Sequence, residues 1–126
     1  MCQFRHSLKT IAFMSLVAVL VLTAACDSSE QTLRIVAQDF LFTPAEVHVS
    51  AERPIRLRII NEGREPHEFK SSLLAHQTGV RGGPSSSLPV PPHHTAETVI
   101  HTIPGVYIFY CAIRGHAGMS GTIIVE

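Results

Sequence analysis

In Ile55-Arg56-Leu57-Arg58-Ile59 every second residue is apolar and an arginine fills each gap. Side chains of an extended strand point alternately to opposite faces, so this segment offers one face to a core and one to water. Comparable short runs recur at Thr32 to Ala37, Glu46 to Val49, His67 to Ser71, Ala96 to His101, Val106 to Tyr110 and Thr122 to Val125, most of them rich in β-branched or aromatic residues. Between them stand Pro44, Arg53-Pro54, Asn61-Glu62-Gly63, Ile103-Pro104-Gly105 and a glycine-rich stretch near 115 to 121, all suited to turns. Past the polar residues 27 to 31, no segment has convincing helical periodicity. About seven short strands in roughly a hundred residues predict an all-β fold, a two-sheet sandwich of Greek-key type.

One stretch departs from this pattern. From Ala75 to Pro92, Gly79, Gly82-Gly83-Pro84 and the prolines from Pro89 to Pro92 surround serines 85 to 87, which predicts a long crossing loop. There is no internal repeat.

The N-terminus is of another kind. Arg5 and Lys9 precede a nearly unbroken apolar run from Ile11 to Leu22, which ends in small residues before Cys26. That is the layout of an export signal, and the run is shorter than the roughly 20 apolar residues a permanent membrane span wants. Leu22-Thr23-Ala24-Ala25-Cys26 resembles a bacterial lipobox, with Thr23 where Leu, Val or Ile is usual. The resemblance implies cleavage before Cys26 and acylation of that cysteine. Asp27 behind it resembles an inner-membrane retention signal of Gram-negative lipoproteins. The expected organisation is a lipoprotein signal peptide over 1–25, a lipidated Cys26 and tether over 26–31, and one domain over 32–126. Its location is extracytoplasmic and membrane-anchored, on the periplasmic side of the inner membrane in a Gram-negative cell.

Without the signal, 101 residues remain, enough for a single domain and no second one. They hold eight Lys/Arg against ten Asp/Glu, a formal charge of −2 with no run of either sign, which argues against nucleic-acid binding. Cys2 leaves with the signal and Cys26 carries lipid, so Cys111 is the one thiol exported free. With no disulfide partner in an oxidising compartment, that thiol must be buried or bound to metal.

The most specific motif surrounds it. Tyr110-Cys111-Ala112-Ile113-Arg114-Gly115-His116-Ala117-Gly118-Met119 brings a thiol, an imidazole and a thioether within nine residues. Soft sulfur favours Cu(I) and imidazole also accommodates Cu(II), so the donor set suits copper. A second imidazole from elsewhere would complete a trigonal site with a weak axial sulfur.

Phe42-Thr43-Pro44-Ala45-Glu46-Val47, the segment Asn61 to Phe69, and Val106-Tyr107-Ile108-Phe109-Tyr110-Cys111 through Gly121-Thr122-Ile123-Ile124-Val125 resemble the cupredoxins, the relatives of plastocyanin, azurin and amicyanin. The resemblance spans most of residues 32 to 126. It implies one copper ion per chain, cycling between Cu(I) and Cu(II) and held by His67, Cys111, His116 and Met119 in a mononuclear type 1-like site. Four residues separate the cysteine from the second histidine, as in azurin, whereas two separate that histidine from the methionine, as in amicyanin. Glu68 stands where the family often has Asn, and Ala112 where it often has Ser or Thr, so the side chains that tie the two ligand loops together there are altered.

Other readings of the residues are weaker. His48, His76, His93-His94 and His101 are scattered over loops and strand faces and read as solvent groups rather than a second metal site. Phe40, Phe42, Tyr107 and Phe109 read as sandwich core and rim. A binuclear copper site would need a second cysteine between Cys111 and Met119, and a multicopper oxidase would need histidines beside the cysteine. No motif supports Ser-His-Asp catalysis. The expectation is a non-enzymatic, monomeric one-electron carrier that meets a membrane-side redox protein. The alternative is an extracytoplasmic copper carrier or storage module that delivers the metal to a copper acceptor.

Overall fold

A computed structural model describes residues 29–76 and 87–126. The described residues form nine strands: β1 (Gln31–Gln38), β2 (Leu41–Thr43), β3 (Glu46–Val49), β4 (Ile55–Asn61), β5 (His67–Ser71), β6 (Ser87–Val90), β7 (Thr95–Ile100), β8 (Gly105–Cys111) and β9 (Ser120–Val125). A single 3-10 turn, Ser72–His76, follows β5. The strands make two sheets, one ordered β2-β1-β4-β7 and the other β3-β9-β8-β5-β6. The β1/β4 and β3/β9 pairs are parallel and the remaining pairs antiparallel. This is the expected two-sheet sandwich with two strands more than the sequence announced.

The alternation in β4 does what its sequence dictates. Ile55, Leu57 and Ile59 are fully buried, while Arg56 and Arg58 on the outer face reach Glu97 of β7. Facing them across the sandwich, Phe69 and Phe109 stack with ring centroids 5.2 Å apart, and Phe42 meets both edge-on at 5.8 and 5.4 Å. A Cβ at Gly121 would overlap the Phe109 ring and the Ala45 carbonyl, so glycine is what lets β9 close over this cluster. Phe69 pairs with Cys111 across β5 and β8, which puts the aromatic cluster directly behind the site.

Both additional strands hide behind residues that usually signal the opposite. The turn from β1 to β2 is Asp39-Phe40, with φ of 47° and 66°. Two positive φ values are what a two-residue hairpin of the primed type demands, but Asn-Gly or Asp-Gly is the usual signal for it. Strand β6 contains Pro89 and lies within the stretch expected to be a long loop over 75–92. It is tolerated because β6 is the outermost strand of its sheet, where a missing N–H costs no ladder bond. His76 likewise belongs to the 3-10 turn rather than to a loop, and residues 77–86 lie outside the described part.

One residue of the segment expected as tether is in a strand. Gln31 is the first residue of β1, and its side chain binds the loop after β3, donating to the carbonyls of Ser50 and, at 3.0 Å, Arg53. Glu30 pairs with Arg56. The expected signal peptide over 1–25 and the expected lipidation site Cys26 lie outside the described residues. Among the described residues no helix is long and apolar enough to cross a membrane.

Candidate metal centre

Three of the four expected ligands converge although they lie up to 49 residues apart in the sequence. Cys111 ends β8, His67 begins β5 beside it, and His116 sits in the loop between β8 and β9. The Cys111 Sγ lies 3.3 Å from Nδ1 of His116 and 3.9 Å from Nδ1 of His67, and the three ligand atoms all fall within 4.8 Å of one another. Both imidazoles therefore turn the same nitrogen toward the sulfur, with their ring centroids 5.1 Å apart. Met119 is also buried, at the start of the return into β9.

The loop from 112 to 119 is closed by its own backbone. Cys111 N–H donates to the Met119 carbonyl at 2.9 Å, Met119 N–H to the His116 carbonyl at 3.2 Å, and His116 N–H to the Ile113 carbonyl at 3.2 Å. Gly115 and Gly118 take φ of 95° and 88°, left-handed values that a side chain would oppose. Holding a thiol, an imidazole and a thioether on so tight a loop fixes their spacing before any ion arrives.

His67 is fixed by a residue whose role the sequence did not reveal. The Asn61 amide is buried at the end of β4; its Nδ2 donates to the carbonyls of Glu65 at 2.7 Å and Val90 at 2.9 Å, and its Oδ1 accepts from Gly63 N–H at 2.9 Å. It thus ties the 61–67 turn to β6. A buried amide with every partner in place specifies one loop conformation, because breaking it strands polar groups away from water. The local signal was a turn-forming Asn; its partner Val90, 29 residues on, was invisible.

The tie between the two ligand segments, left in doubt by Glu68 and Ala112, is made by backbone atoms. Ala112 N–H donates to the Glu68 carbonyl at 3.0 Å, and Glu68 N–H points at the Cys111 Sγ at 3.5 Å. Burial holds His67 below the usual imidazole range, with the neighbouring His116 acting in the same direction and Glu65 opposing both. The neutral ring, the form that can donate a lone pair to a metal, is thereby favoured.

Phe40, expected as core or rim, lies edge-on against the His116 ring at 4.8 Å while remaining half exposed. A bulky residue at φ 66° is an uncommon conformation, held here because the hairpin turn brings the ring over His116. Phe42 and Phe109 are core as expected, and Tyr107 is partly buried. Of the remaining histidines, His93 lines a surface depression with His67 and Phe40 without joining the ligand group, and three others have partners of their own. His48 lies between Glu46 and Glu126, His76 packs on Tyr107 and His94 turns back to the Pro92 carbonyl. Among the described residues His67, Cys111 and His116 are the one group of three or more acidic, His or Cys side chains able to share an ion.

The donor set discriminates between metals. Zinc accepts Cys, His and carboxylate ligands, and calcium and magnesium want oxygen. Two imidazoles and a thiolate with a thioether at the end of the same loop, and no carboxylate in the group, fit copper. The residues present therefore suit one copper ion.

The chain matches the family model described as a cupredoxin-like domain over residues 11–125. Among solved structures it is similar to auracyanin B, at 21% identity and a TM-score of 0.59 over 76% of this chain and 88% of that one. It is similar also to the dithionite-reduced auracyanin of the photosynthetic bacterium Roseiflexus castenholzii, at 16% identity and 0.61 over 76% and 97%. Auracyanin A, a "blue" copper protein from the green thermophilic photosynthetic bacterium Chloroflexus aurantiacus, aligns at 18% identity and 0.60 over 78% and 100%. At these identities the likeness speaks to the fold. No curated protein matches.

Proposed function

The chain belongs to the cupredoxin-like domain family, and from that premise we propose that it is an extracytoplasmic one-electron carrier, not an enzyme. Its ion would be held by His67, Cys111 and His116, with Met119 as the weak fourth ligand. Copper, when bound, supplies the Cu(I)/Cu(II) couple. The chain supplies a preset cage: Nδ1 of both histidines turned to one sulfur, a loop whose shape its own hydrogen bonds maintain, and burial that keeps water away. A cage that neither oxidation state reshapes suits electron transfer, because little has to move when the charge changes. The observation that carries this reading is the convergence of the three ligand atoms within 4.8 Å.

The likeness to auracyanin A, a "blue" copper protein by description, supports the same reading. The N-terminal layout supports export, cleavage after residue 25 and lipidation of Cys26, with the folded domain starting at Gln31 and its redox partner on the membrane side. Copper loading followed by visible spectroscopy tests the site. The wild-type protein should develop an intense thiolate-to-copper band that bleaches reversibly on reduction, and Cys111→Ser should lose the band altogether. A band that survives Cys111→Ser removes the thiolate from the site. A colourless wild-type protein that binds Cu(I) and passes it to an acceptor would make it a copper carrier instead.

A further inference from the structure

Large apolar side chains stand in water at the end of the sandwich opposite the metal centre. Ile103 is 65% exposed and Val106 68%; Ile108 lies halfway along β8, and at the metal end Phe40 and Leu41 are exposed as well. The strand registers fix where they are. Gln31 pairs with Ile55 and Ile55 with Ile100, so the start of β1 and the end of β7 share one edge of the molecule. On the other sheet Gly105 pairs with Val125, and Ala51 N–H bonds to the Glu126 carbonyl, at the same end. His67, Asn61 and Cys111 terminate their strands at the far end.

Ile103 is held outward by design of the turn. Tyr107 OH donates to the Ile103 carbonyl at 3.0 Å, and Thr102 Oγ1 donates to Tyr107 OH at 3.0 Å. The turn from β7 to β8 is thus a braced apolar tip.

We propose that this tip, Ile103 and Val106 foremost, rests in the interface of a lipid bilayer and sets the domain upright with its metal centre pointing away from the membrane. The inference rests on the reading that Cys26 is acylated. It adds the length of chain between that residue and the fold. Glu30 is pinned to Arg56, so four peptide steps, at most ~14 Å, separate Cys26 from the anchored chain. Strand β4 alone, seven residues long, spans ~20 Å. So short a leash keeps the Gln31 end at the bilayer, and an apolar contact at that same end is what would keep the domain from tipping over. The charged groups near the tip do not gather as a basic patch: Glu126 and Glu46 flank His48, Arg53 sits beside Glu52 in the adjoining loop, and His101 precedes the tip without a second basic neighbour in sequence. The contact is therefore apolar and indifferent to anionic lipid.

The chain has no tryptophan, so single reporters can be placed cleanly. Full-length protein, processed and lipidated in a bacterial host and copper-loaded, is reconstituted into phosphatidylcholine vesicles with or without brominated acyl chains. The reporters are Ile103→Trp at the tip and Leu41→Trp, which sits exposed at the metal end; the visible band shows that each variant folds. Brominated lipid should quench emission from residue 103 about twofold or more and leave residue 41 nearly unchanged, as expected for a group at the headgroup/acyl boundary. Added phosphatidylserine should not deepen the quenching. Equal quenching at both positions, or none at 103 in protein that floats with the vesicles, overturns the orientation alone. A blue-shifted but unquenched residue 103 assigns the face to a second copy and overturns it too. If wild type fails to float, or Cys26→Ser floats as well, the anchor falls and the proposal with it.

Discussion

At the end of the sandwich that holds Cys111, the polar residues Asn61, His67 and His116 are buried, whereas at the opposite end Ile103 and Val106 are about two-thirds exposed. Folding normally does the reverse at both places. Scattered exposed apolar residues mean little, but buried polar groups and grouped apolar ones in water are the departures that carry information. Between the two ends the β4 wall keeps to the rule, whereas Ile108 in mid-β8 is exposed. Leu57 and Ile59 are inside, and Arg56 and Arg58 meet Glu97 in water. The contrast separates what the metal end must hold from what the other end must touch. A polar interior has to be satisfied bond by bond, so the metal end is a web of hydrogen bonds, with the buried Nε2 of His67 a ring nitrogen left outside it. An exposed apolar tip needs only to be kept in place, and the Tyr107 hydroxyl does that.

The largest effect should come from the boundary of the exposed end, where Ile100 and Ile103 lie three residues apart in opposite surroundings. Ile100 is fully buried, so Ile100→Ser should cost about 4 kcal/mol of stability through lost packing and a cavity. Ile103→Ser should stay within about 0.5 kcal/mol of wild type. Urea denaturation of both variants measures the difference. If Ile103→Ser destabilised as much as Ile100→Ser, the tip would be part of the core and the contrast between the two ends would disappear.

At the metal end the test is Asn61→Ala. The substitution leaves the Glu65 and Val90 carbonyls and the Gly63 N–H without their partner. A loss of about 2 kcal/mol in stability is expected from stranding them, with copper affinity lower by about 10- to 100-fold because the His67 loop is no longer held. Denaturant titration of the copper-free protein and competition with a chelator read the two effects separately. Unchanged affinity alongside reduced stability would mean that Asn61 serves the fold and not the site.

These residues also mark how far the sequence could be read. The ligand loop was legible because Cys111, His116 and Met119 fall within nine residues, and β4 was legible because its alternation is strict. The Asp39-Phe40 turn was not, since neither residue advertises a positive φ. Strand β6 was masked by Pro89, which only its place at a sheet edge permits. Gln31 read as tether because its anchors, Ser50 and Arg53, are made by folding. Asn61 announced a turn and no more. In each case the missing information lay in a partner remote in sequence, whereas local pattern sufficed wherever chemistry or periodicity was contained in a few neighbouring residues.

The smallest effect belongs to the walls, and its size is what makes the ends stand out. The hydrogen bond from Arg56, helped by the charges of Arg56 and Arg58 and opposed by partial desolvation, holds the Glu97 carboxyl below its ordinary value of 4.5. A carboxyl with a lowered folded-state pKa adds stability above its unfolded value, and that contribution is lost as pH falls through the folded one. Stability should therefore decline below about pH 4.5, and Glu97→Gln should flatten that part of the acid limb. The group is exposed to solvent, so the contribution is small and salt should erase it. Thermal melts of wild type and Glu97→Gln between neutral pH and pH 3, at low and high salt, decide the matter. A large, salt-resistant loss in Glu97→Gln would mean that the wall, too, depends on a desolvated polar group, and the metal end would no longer be the one place in the described fold where buried polarity governs stability.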